Sequence, residues 1–200
     1  MTWTAAVIVS PKRGELVIRE ILPVILACQP DQTLIVGDLG WSGQLPFKNQ
    51  WQYLHIPDMT RTTNDALVKR DVAALASQHP WIAYFSDDHK PTNDFGLQFA
   101  SLKFSDWDVF VPARYAAQPG HEGERLNMGE PTYCGGHAGL FRRSLIQELP
   151  WCAGPHHREW DLLNSQRHIQ AGARYHFEPN DEKQVSLRVF DIEPGASPWL

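Results

Sequence analysis

Cysteine is scarce in this chain of 200 residues, and the cysteines that are present follow no pairing pattern. Cys28, Cys134 and Cys152 are odd in number, and no Cys-x-x-Cys spacing occurs among them. The sequence therefore predicts neither a disulfide framework nor a zinc knuckle. Reduced thiols are typical of cytosolic proteins, so we expect a cytoplasmic localisation.

Long apolar runs are also absent. No stretch approaches the roughly 20 apolar residues that a membrane-spanning helix needs. The short apolar run near the amino terminus has no basic region before it and no small-residue cleavage site after it. It is therefore typical of a buried strand rather than of a signal peptide, and we expect no transmembrane segment.

Positive charge is in deficit, because 18 lysines and arginines face 23 acidic residues and the formal net charge is -5. This balance argues against a protein that holds nucleic acid mainly through a basic surface, but it leaves open an enzyme that meets a polymer locally. Tryptophan, by contrast, is abundant, with eight residues. Aromatic side chains often line ligand clefts, although core filling explains any single one equally well.

The first forty residues predict a strand, a helix and a second strand. Residues 5–10 form a short apolar run ended by Pro11, which is typical of a fully buried strand. Residues 15–28 have apolar side chains at roughly helical spacing, and Pro23 is expected to kink or shorten that helix. Residues 33–36 predict the next strand, so this order indicates a βαβ unit with a parallel sheet.

The rest of the chain continues the alternation. We expect strands at residues 53–56, 81–85, 108–111 and 174–177, and helices at residues 64–77, 94–104, 138–149 and 159–171. Residues 113–132 have no clear period and predict a long loop, and the tail from residue 180 alternates only weakly at residues 185–192. The sequence thus predicts one α/β domain over residues 1–200, with a mostly parallel central sheet flanked by helices.

Four polar residues, Ser86-Asp87-Asp88-His89, follow the predicted strand at residues 81–85. Ligands gather beyond the carboxyl ends of strands in open α/β sheets, so this position favours function. Adjacent carboxylates raise one another's pKa, and a bound divalent cation would remove that penalty. Oxygen ligands suit Mg²⁺ or Mn²⁺, and a histidine ligand favours Mn²⁺. The alternative is a solvated turn in which Asp87 or Asp88 caps the following segment.

Three blocks in the right order resemble GT-A glycosyltransferases, particularly the broad inverting group that includes bacterial family-two enzymes. The blocks are NDALVKRDVAALASQHPWIAYFSDDHKP, GGHAGLFRRSLIQELPW and REWDLLNSQRHIQAGARYHFEP. Together with the opening strand they cover most of residues 5–179. The resemblance implies a Rossmann-like GT-A fold, with a nucleotide-sugar-binding half at residues 1–112, an acceptor and catalytic half at residues 113–179 and a tail at residues 180–200.

The resemblance also implies which side chains bind the nucleotide-sugar donor. In the family, the strand after the first helix ends in an acidic residue that contacts the uracil or its ribose, and Asp38 stands at that place. The full set of expected donor contacts is Ser10, Asp38, Asn64, Lys69, Arg70 and Asp87. For Lys69 and Arg70, a solvated helix face is the alternative. Arg142 and Arg143 could help to hold the diphosphate or could pair with acids.

The metal motif departs from the family's pattern. Ser86 stands where the family's Asp-x-Asp motif has its first acid, so the motif becomes Ser-Asp-Asp. Asp87-x-His89 is instead similar to the Asp-x-His motif of polypeptide N-acetylgalactosaminyltransferases, which are retaining enzymes and take another histidine from a later loop. We expect the metal ligands among Asp87, Asp88, His89 and His176, with His137, His156 and His157 as alternatives to His176.

Further along, the resemblance assigns the catalytic base and the acceptor loop. Register with the family's Glu-Asp-x-Asp helix puts Glu159 at the base and Asp161 at the next acidic position. A carboxylate there would deprotonate the attacking hydroxyl while the metal stabilises the leaving diphosphate. As the alternative, both acids merely favour the start of a helix. The acceptor is expected to enter over Gly135, Gly136 and His137.

The sequence therefore predicts a metal-dependent glycosyltransferase of the hexosyltransferase type, using a UDP-sugar or another nucleotide-sugar with Mn²⁺ or Mg²⁺. Its hydroxyl acceptor is left open among a glycan, a lipid carrier, a protein and a modified nucleic-acid base, as used by some transferases from viruses of bacteria. Two other hypotheses stand beside it. One is a metal-dependent phosphodiesterase or nuclease, and the other is an inactive GT-A-like binding module, which Ser86 and Glu159 favour.

Overall fold

The computed structural model of the protein describes residues 2–40, 46–47, 49–58, 63–93, 95–101, 106–116, 138–153, 160–177 and 188–191. These residues form a seven-stranded sheet with helices on both faces and a separate three-stranded sheet. No helix within these ranges is long and apolar enough to cross a bilayer.

Three strands form the centre of the large sheet: β1 at Trp3–Val9, β2 at Gln32–Gly37 and β4 at Trp81–Ser86. All pair in parallel, with β1 between β2 and β4. Their side chains are buried on both faces, which is why these segments are nearly continuous apolar runs rather than alternating ones. The sequence predictions for these strands are confirmed to within two residues.

Four further strands complete the large sheet, in the order β3-β2-β1-β4-β8-β6-β9. They are β3 at Gln52–His55, β6 at Val109–Val111, β8 at Ala138–Arg142 and β9 at Tyr175–Phe177. Six of these seven strands run in parallel, and β8 runs antiparallel between β4 and β6. The strand order reverses between β1 and β4, because β2 and β3 lie on one side of β1 and β4 lies on the other. A crevice at such a switch point is where open α/β sheets bind ligands.

The small sheet has the order β5-β10-β7, with β5 at His89–Pro91, β7 at Ala113–Ala116 and β10 at Arg188–Asp191. Here the sequence prediction is corrected, since residues 113–116 begin the expected loop but form a strand. Their pairing partner β10 lies more than seventy residues away, and a period over four residues carries no signal of such a contact.

A helical segment, α1, spans residues 11–27 between β1 and β2. It opens with a 3₁₀ turn at Pro11–Arg13, includes a π-helical stretch at Val17–Ile21 and closes as an α-helix at Leu22–Ala27. Pro23 stands in the first turn of that last piece, where its missing N–H is tolerated. The helix therefore passes Pro23 and is not shortened by it.

The other helices are α2 at Thr63–Ala76, α3 at Phe95–Ser101, α4 at Arg143–Glu148 and α5 at Trp160–Gln170. The expected helix at residues 138–149 is wrong in its first half, because residues 138–142 form β8. Leu140 and Phe141 are buried there, one towards each face of the sheet. A short apolar run buried on both sides cannot be told from a helix by its period.

The two faces of the sheet carry two apolar clusters. Val7 and Val9 point to the face covered by α1 and α3, whereas Ala6 and Ile8 point to the face covered by α2 and α4. This alternation is the two-residue period of a strand. It fixes the register of β1 and hence the direction in which the chain leaves the sheet after Val9.

A buried histidine ties α5 to the start of β9. The His168 ring lies with Nδ1 3.0 Å from the Tyr175 hydroxyl and Nε2 3.1 Å from the Leu149 carbonyl oxygen. A carbonyl oxygen only accepts, so Nε2 carries the proton and Nδ1 accepts from the Tyr175 O–H. Burial lowers the pKa of His168 to about 4.

This low pKa predicts an acid-sensitive component of stability. Between pH 6.5 and pH 4, His168 is protonated in the unfolded chain but stays neutral in the folded chain. The free energy of unfolding therefore falls as the pH falls, by up to about 3 kcal/mol. Urea denaturation of wild type and His168→Gln at pH 7.0, 5.5 and 4.5 measures this. The variant should lose less stability than wild type over that range, with the exposed His55→Gln as the control. Equal losses in wild type and His168→Gln would contradict it.

Candidate functional site

Ser10 and Asp87 lie side by side at the carboxyl ends of β1 and β4. The two strands are paired with Ile8 opposite Ser86, so the residues that follow β1 and β4 leave the sheet side by side at the switch point. The backbone N–H and the hydroxyl of Ser10 both donate to Asp87 Oδ2, over 2.8 and 2.6 Å, and both side chains are buried. The structure therefore brings together two of the residues that the sequence predicted for donor binding.

Arg13 brings a positive charge to the same place. Its Nη1 lies 3.3 Å from Asp88 Oδ2, its Nε lies 3.9 Å from Asp87 Oδ1, and its side chain is only 8% exposed. The backbone N–H of Arg13 donates to the Ser10 carbonyl in the turn that follows β1. Arg13 was not predicted from the sequence as a site residue; the available signal was a basic residue in the first turn after a buried strand.

Asp88 carries the more accessible of the two carboxylates. Its side chain is 20% exposed, and its Oδ1 lies 2.7 Å from Nδ1 of His89. His89 is buried and is the first residue of β5, so its imidazole is held against the acidic turn by the small sheet. The acidic turn thus has one buried carboxylate bound by Ser10 and one partly exposed carboxylate between an imidazole and a guanidinium.

Burial raises the pKa of Asp87, even though the two hydrogen bonds from Ser10 and the charge of Arg13 act to lower it. The neighbouring charge of Asp88 raises it further. Concentrated negative charge in a buried position is stabilised by a cation, whether this comes from the protein or from solution.

The chemistry of these side chains fits a hard divalent cation at Asp88. Carboxylate oxygens suit Mg²⁺ and Mn²⁺, and an adjacent imidazole suits Mn²⁺. Within the described parts of the chain, however, no three histidine, cysteine or acidic side chains converge on one point. Mg²⁺ in enzymes of nucleotide phosphates is commonly held by one or two carboxylates together with substrate phosphates, and this turn offers that arrangement.

Asp38 lies at the same edge of the sheet, one residue after β2. Its Oδ1 accepts a hydrogen bond of 2.9 Å from the backbone N–H of Gly40. The segment after β2 packs closely against the start of α1, since a Cβ on Gly14 would lie 1.6 Å from the Leu39 carbonyl oxygen. Asp38 is therefore held one strand from Ser10, on the side of β1 opposite to Asp87.

Lys69 and Arg70 are both buried in α2 and bind other parts of the protein. Lys69 Nζ donates to the Val9 carbonyl over 2.8 Å and forms an ion pair with Asp58. The Arg70 guanidinium lies over two rings, those of Tyr84 at 5.3 Å and Trp151 at 5.6 Å. Lys69 thereby supports the end of β1, immediately before Ser10. Asn64 is in the first turn of the same helix, and its side chain lies outside the description.

His176 is not brought together with Asp88. In the sheet, His176 lies opposite Phe110, Phe110 lies opposite Leu140, and Leu140 lies opposite Ala83 of β4. His176 is therefore three strands away from β4, at the level of Ala83, which is three residues before Ser86. Its ring stacks on that of Phe110, with the centroids 5.0 Å apart.

Arg142 and Arg143 lie at the opposite end of β4 from Asp87. Arg142 pairs with Trp81, and its Nε is 2.9 Å from Asp108 Oδ1. Arg143 donates to the Ser77 carbonyl oxygen. Both guanidinium groups thus bind protein groups at the amino end of that strand, away from the acidic turn.

Several predicted site residues fall outside the described residues: Glu159, Gly135, Gly136, His137, His156 and His157. Asp161 belongs to the first turn of α5, with only its backbone described. For these residues the assignments from sequence stay predictions.

No family model matches this sequence, and no curated protein matches it. Solved structures do match the fold. Staphylococcus aureus TarS 1-349 in complex with UDP-GlcNAc is similar over 96% of this chain and 59% of that chain, with a TM-score of 0.67 and 14% identity. A mannosyltransferase from Pyrobaculum calidifontis, PcManGT, in complex with GDP-Man and Mn²⁺, is similar over 98% of this chain and 58% of that chain, with a TM-score of 0.66 and 13% identity.

The chain thus spans about three fifths of the length of these structures. At such identities the likeness concerns the fold. This chain has a mostly parallel seven-stranded sheet flanked by helices, and its fold is shared with these glycosyltransferase structures: the protein has a GT-A fold.

Proposed function

We propose that this protein is a glycosyltransferase that takes a hexose from a nucleotide-sugar. The observation that carries the proposal is the pairing of Ser10 with Asp87 at the switch point, with the partly exposed carboxylate of Asp88 beside them. Oxygen ligands at the carboxyl ends of two parallel strands would suit a divalent cation, which would supply positive charge for a diphosphate.

In this proposal Asp88 is the first cation ligand, with His89 or Asp87 as the second. When bound there, Mn²⁺ or Mg²⁺ would supply positive charge for the leaving diphosphate. Asp38 lies at the same edge, one strand from Ser10, and we assign it to the nucleoside, with UDP as the first choice. TarS in complex with UDP-GlcNAc and PcManGT in complex with GDP-Man and Mn²⁺ support this class of donor.

The acceptor hydroxyl is proposed to lose its proton to Glu159, with Asp161 as the second acidic position, as the oxygen attacks the sugar carbon. Gly135, Gly136 and His137 form the proposed acceptor loop. A glycan or a modified nucleic-acid base would both supply such a hydroxyl. Assignment to the inverting family-two-like group rests on the sequence resemblance, and so does the Asp-x-His similarity.

Thermal denaturation with a panel of nucleoside diphosphates, each with and without Mn²⁺, tests the proposal. Because a ligand that binds only the native state stabilises it by about 2.7 kcal/mol at a hundred times its dissociation constant, at least one nucleotide should raise the midpoint, and more so with Mn²⁺. Asp88→Ala should abolish the part that depends on Mn²⁺. If no nucleoside diphosphate raises the midpoint, and Asp88→Ala changes nothing, the proposal is wrong.

A further inference from the structure

Arg13 holds the position from which a cation would neutralise the acidic turn. Its guanidinium contacts Asp88 Oδ2 at 3.3 Å and faces Asp87 Oδ1 at 3.9 Å, and its side chain is buried almost completely. A guanidinium retains its positive charge in proteins even when it is buried. The carboxylates that would bind a divalent cation are thus already paired with a charge of the same sign as that cation.

The backbone of Arg13 is fixed in the turn after β1, whereas its guanidinium is held only through the side chain. The 3₁₀ turn at Pro11–Arg13 follows β1 directly, and the Arg13 N–H donates to the Ser10 carbonyl. Close contact between Gly14 and Leu39 holds the next residue. Only the side-chain torsions of Arg13 are left to carry the guanidinium away from Asp88.

We propose that Arg13 occupies the place of the cation in the ligand-free protein and makes binding of the divalent cation depend on the donor diphosphate. A divalent ion at Asp88 alone would lie next to the guanidinium, and the like charges would repel each other in a buried site. A diphosphate arriving with the ion brings two or more negative charges, so the ion and the displaced guanidinium both regain partners. Arg13 is in this sense a positioning residue. The diphosphate half of the inference rests on the proposed function; the exclusion of the free ion by Arg13 does not.

The chain offers a matched pair of arginines for the test. Arg19 lies on the same helical segment but is 66% exposed and pairs with Glu15 at 3.0 Å. Binding of Mn²⁺ alone, measured by electron paramagnetic resonance of the free ion, should tighten at least about tenfold in Arg13→Gln, since a charge of the same sign has gone. Arg19→Gln should bind like wild type, and Arg13→Lys, which keeps the charge, should stay close to wild type.

Two further measurements show whether the gain in Mn²⁺ affinity depends on Asp88 and keep the test valid if Arg13→Gln folds poorly. The gain in Arg13→Gln should disappear in the double variant Arg13→Gln/Asp88→Asn. If Arg13→Gln is destabilised when no cation is present, Mn²⁺ alone should raise its thermal midpoint more than it raises that of wild type. A folded Arg13→Gln that binds Mn²⁺ no more tightly than wild type would overturn the inference, as would a gain that survives loss of Asp88 or equal midpoint increments.

These experiments distinguish a failure of the proposed function from a failure of the role proposed for Arg13. If no nucleoside diphosphate binds wild type while Arg13→Gln still gains affinity for Mn²⁺, the donor assignment fails and the role of Arg13 stands. If a nucleotide binds with Mn²⁺ and Arg13→Gln shows no gain for the ion alone, the donor assignment stands and the role of Arg13 fails.

Discussion

Asp88→Asn is expected to lower the rate of donor turnover at least about a hundredfold while the fold stays intact. Asp88 carries the partly exposed carboxylate of the acidic turn, between Arg13 and His89. An amide of the same shape keeps the packing but has lost the charge that attracts a divalent cation. Without that ion the leaving diphosphate loses a stabilisation of several kcal/mol, and the amide recovers only part of it.

Release of nucleoside diphosphate from the nucleotide-sugar measures this effect, with the donor chosen from the thermal panel. Glu15→Gln is the control, because Glu15 is an exposed acid on α1 that pairs only with Arg19 among the contacts described for it. The thermal midpoint of Asp88→Asn should stay within a few degrees of wild type. Turnover at the wild-type rate would remove Asp88 from the chemistry and return the acidic turn to the alternative of a solvated turn.

Lys69→Met is expected to cost about 3–5 kcal/mol in the free energy of unfolding, the second large effect. Lys69 is almost fully buried, donates to the Val9 carbonyl oxygen and pairs with Asp58, whose side chain is only 10% exposed. Methionine is unbranched and only one atom shorter than lysine, but it leaves the Asp58 carboxylate and the Val9 oxygen without the Lys69 donor. Breaking a buried ion pair from one side costs this much because the remaining charge stays desolvated.

Urea denaturation of three variants shows whether the loss of stability comes from breaking the buried ion pair of Lys69 or from removing a lysine at any position. Lys90→Met is the matched control, since Lys90 is 34% exposed and lies 3.7 Å from the exposed Glu20, a pair worth at most about 1 kcal/mol. Adding Asp58→Asn to Lys69→Met should recover part of the loss. A loss below about 1 kcal/mol in Lys69→Met would favour the original interpretation of Lys69 as a solvent-facing residue or a donor contact.

The centre of the fold could be predicted from the sequence because its signals are local. The strands β1, β2 and β4 are apolar runs with clear ends, and α2 combines helix-favouring alanines with a helical period. The βαβ order then fixes the parallel pairing and places Asp87 at the ligand-binding edge. The strands that could not be predicted from the sequence form because of pairing partners that lie far away along the chain. β8 is a strand because β4 and β6 lie on either side of it, and β7 pairs with a segment near the end of the chain.

The same distinction holds for the candidate site. The place of Ser10, Asp87 and Asp88 follows from where β1 and β4 end, which the sequence does indicate. The contacts of charged side chains do not follow from position in the chain. Lys69 was expected at the donor and binds the Val9 carbonyl, while Arg13 was not expected and contacts the acidic turn. Long side chains reach several ångströms in directions that packing alone decides, so their partners appear only in three dimensions.

The position of Mn²⁺ in crystals grown with a nucleoside diphosphate that raises the thermal midpoint would locate the donor site directly. Anomalous scattering from manganese identifies the ion without reference to any assumed site. We expect one peak within about 2 Å of an oxygen of Asp88, next to the diphosphate, with the Arg13 guanidinium moved from its contact with that carboxylate. Nucleotide bound elsewhere on the sheet, or manganese away from Asp88, would contradict a donor site at the ends of β1 and β4.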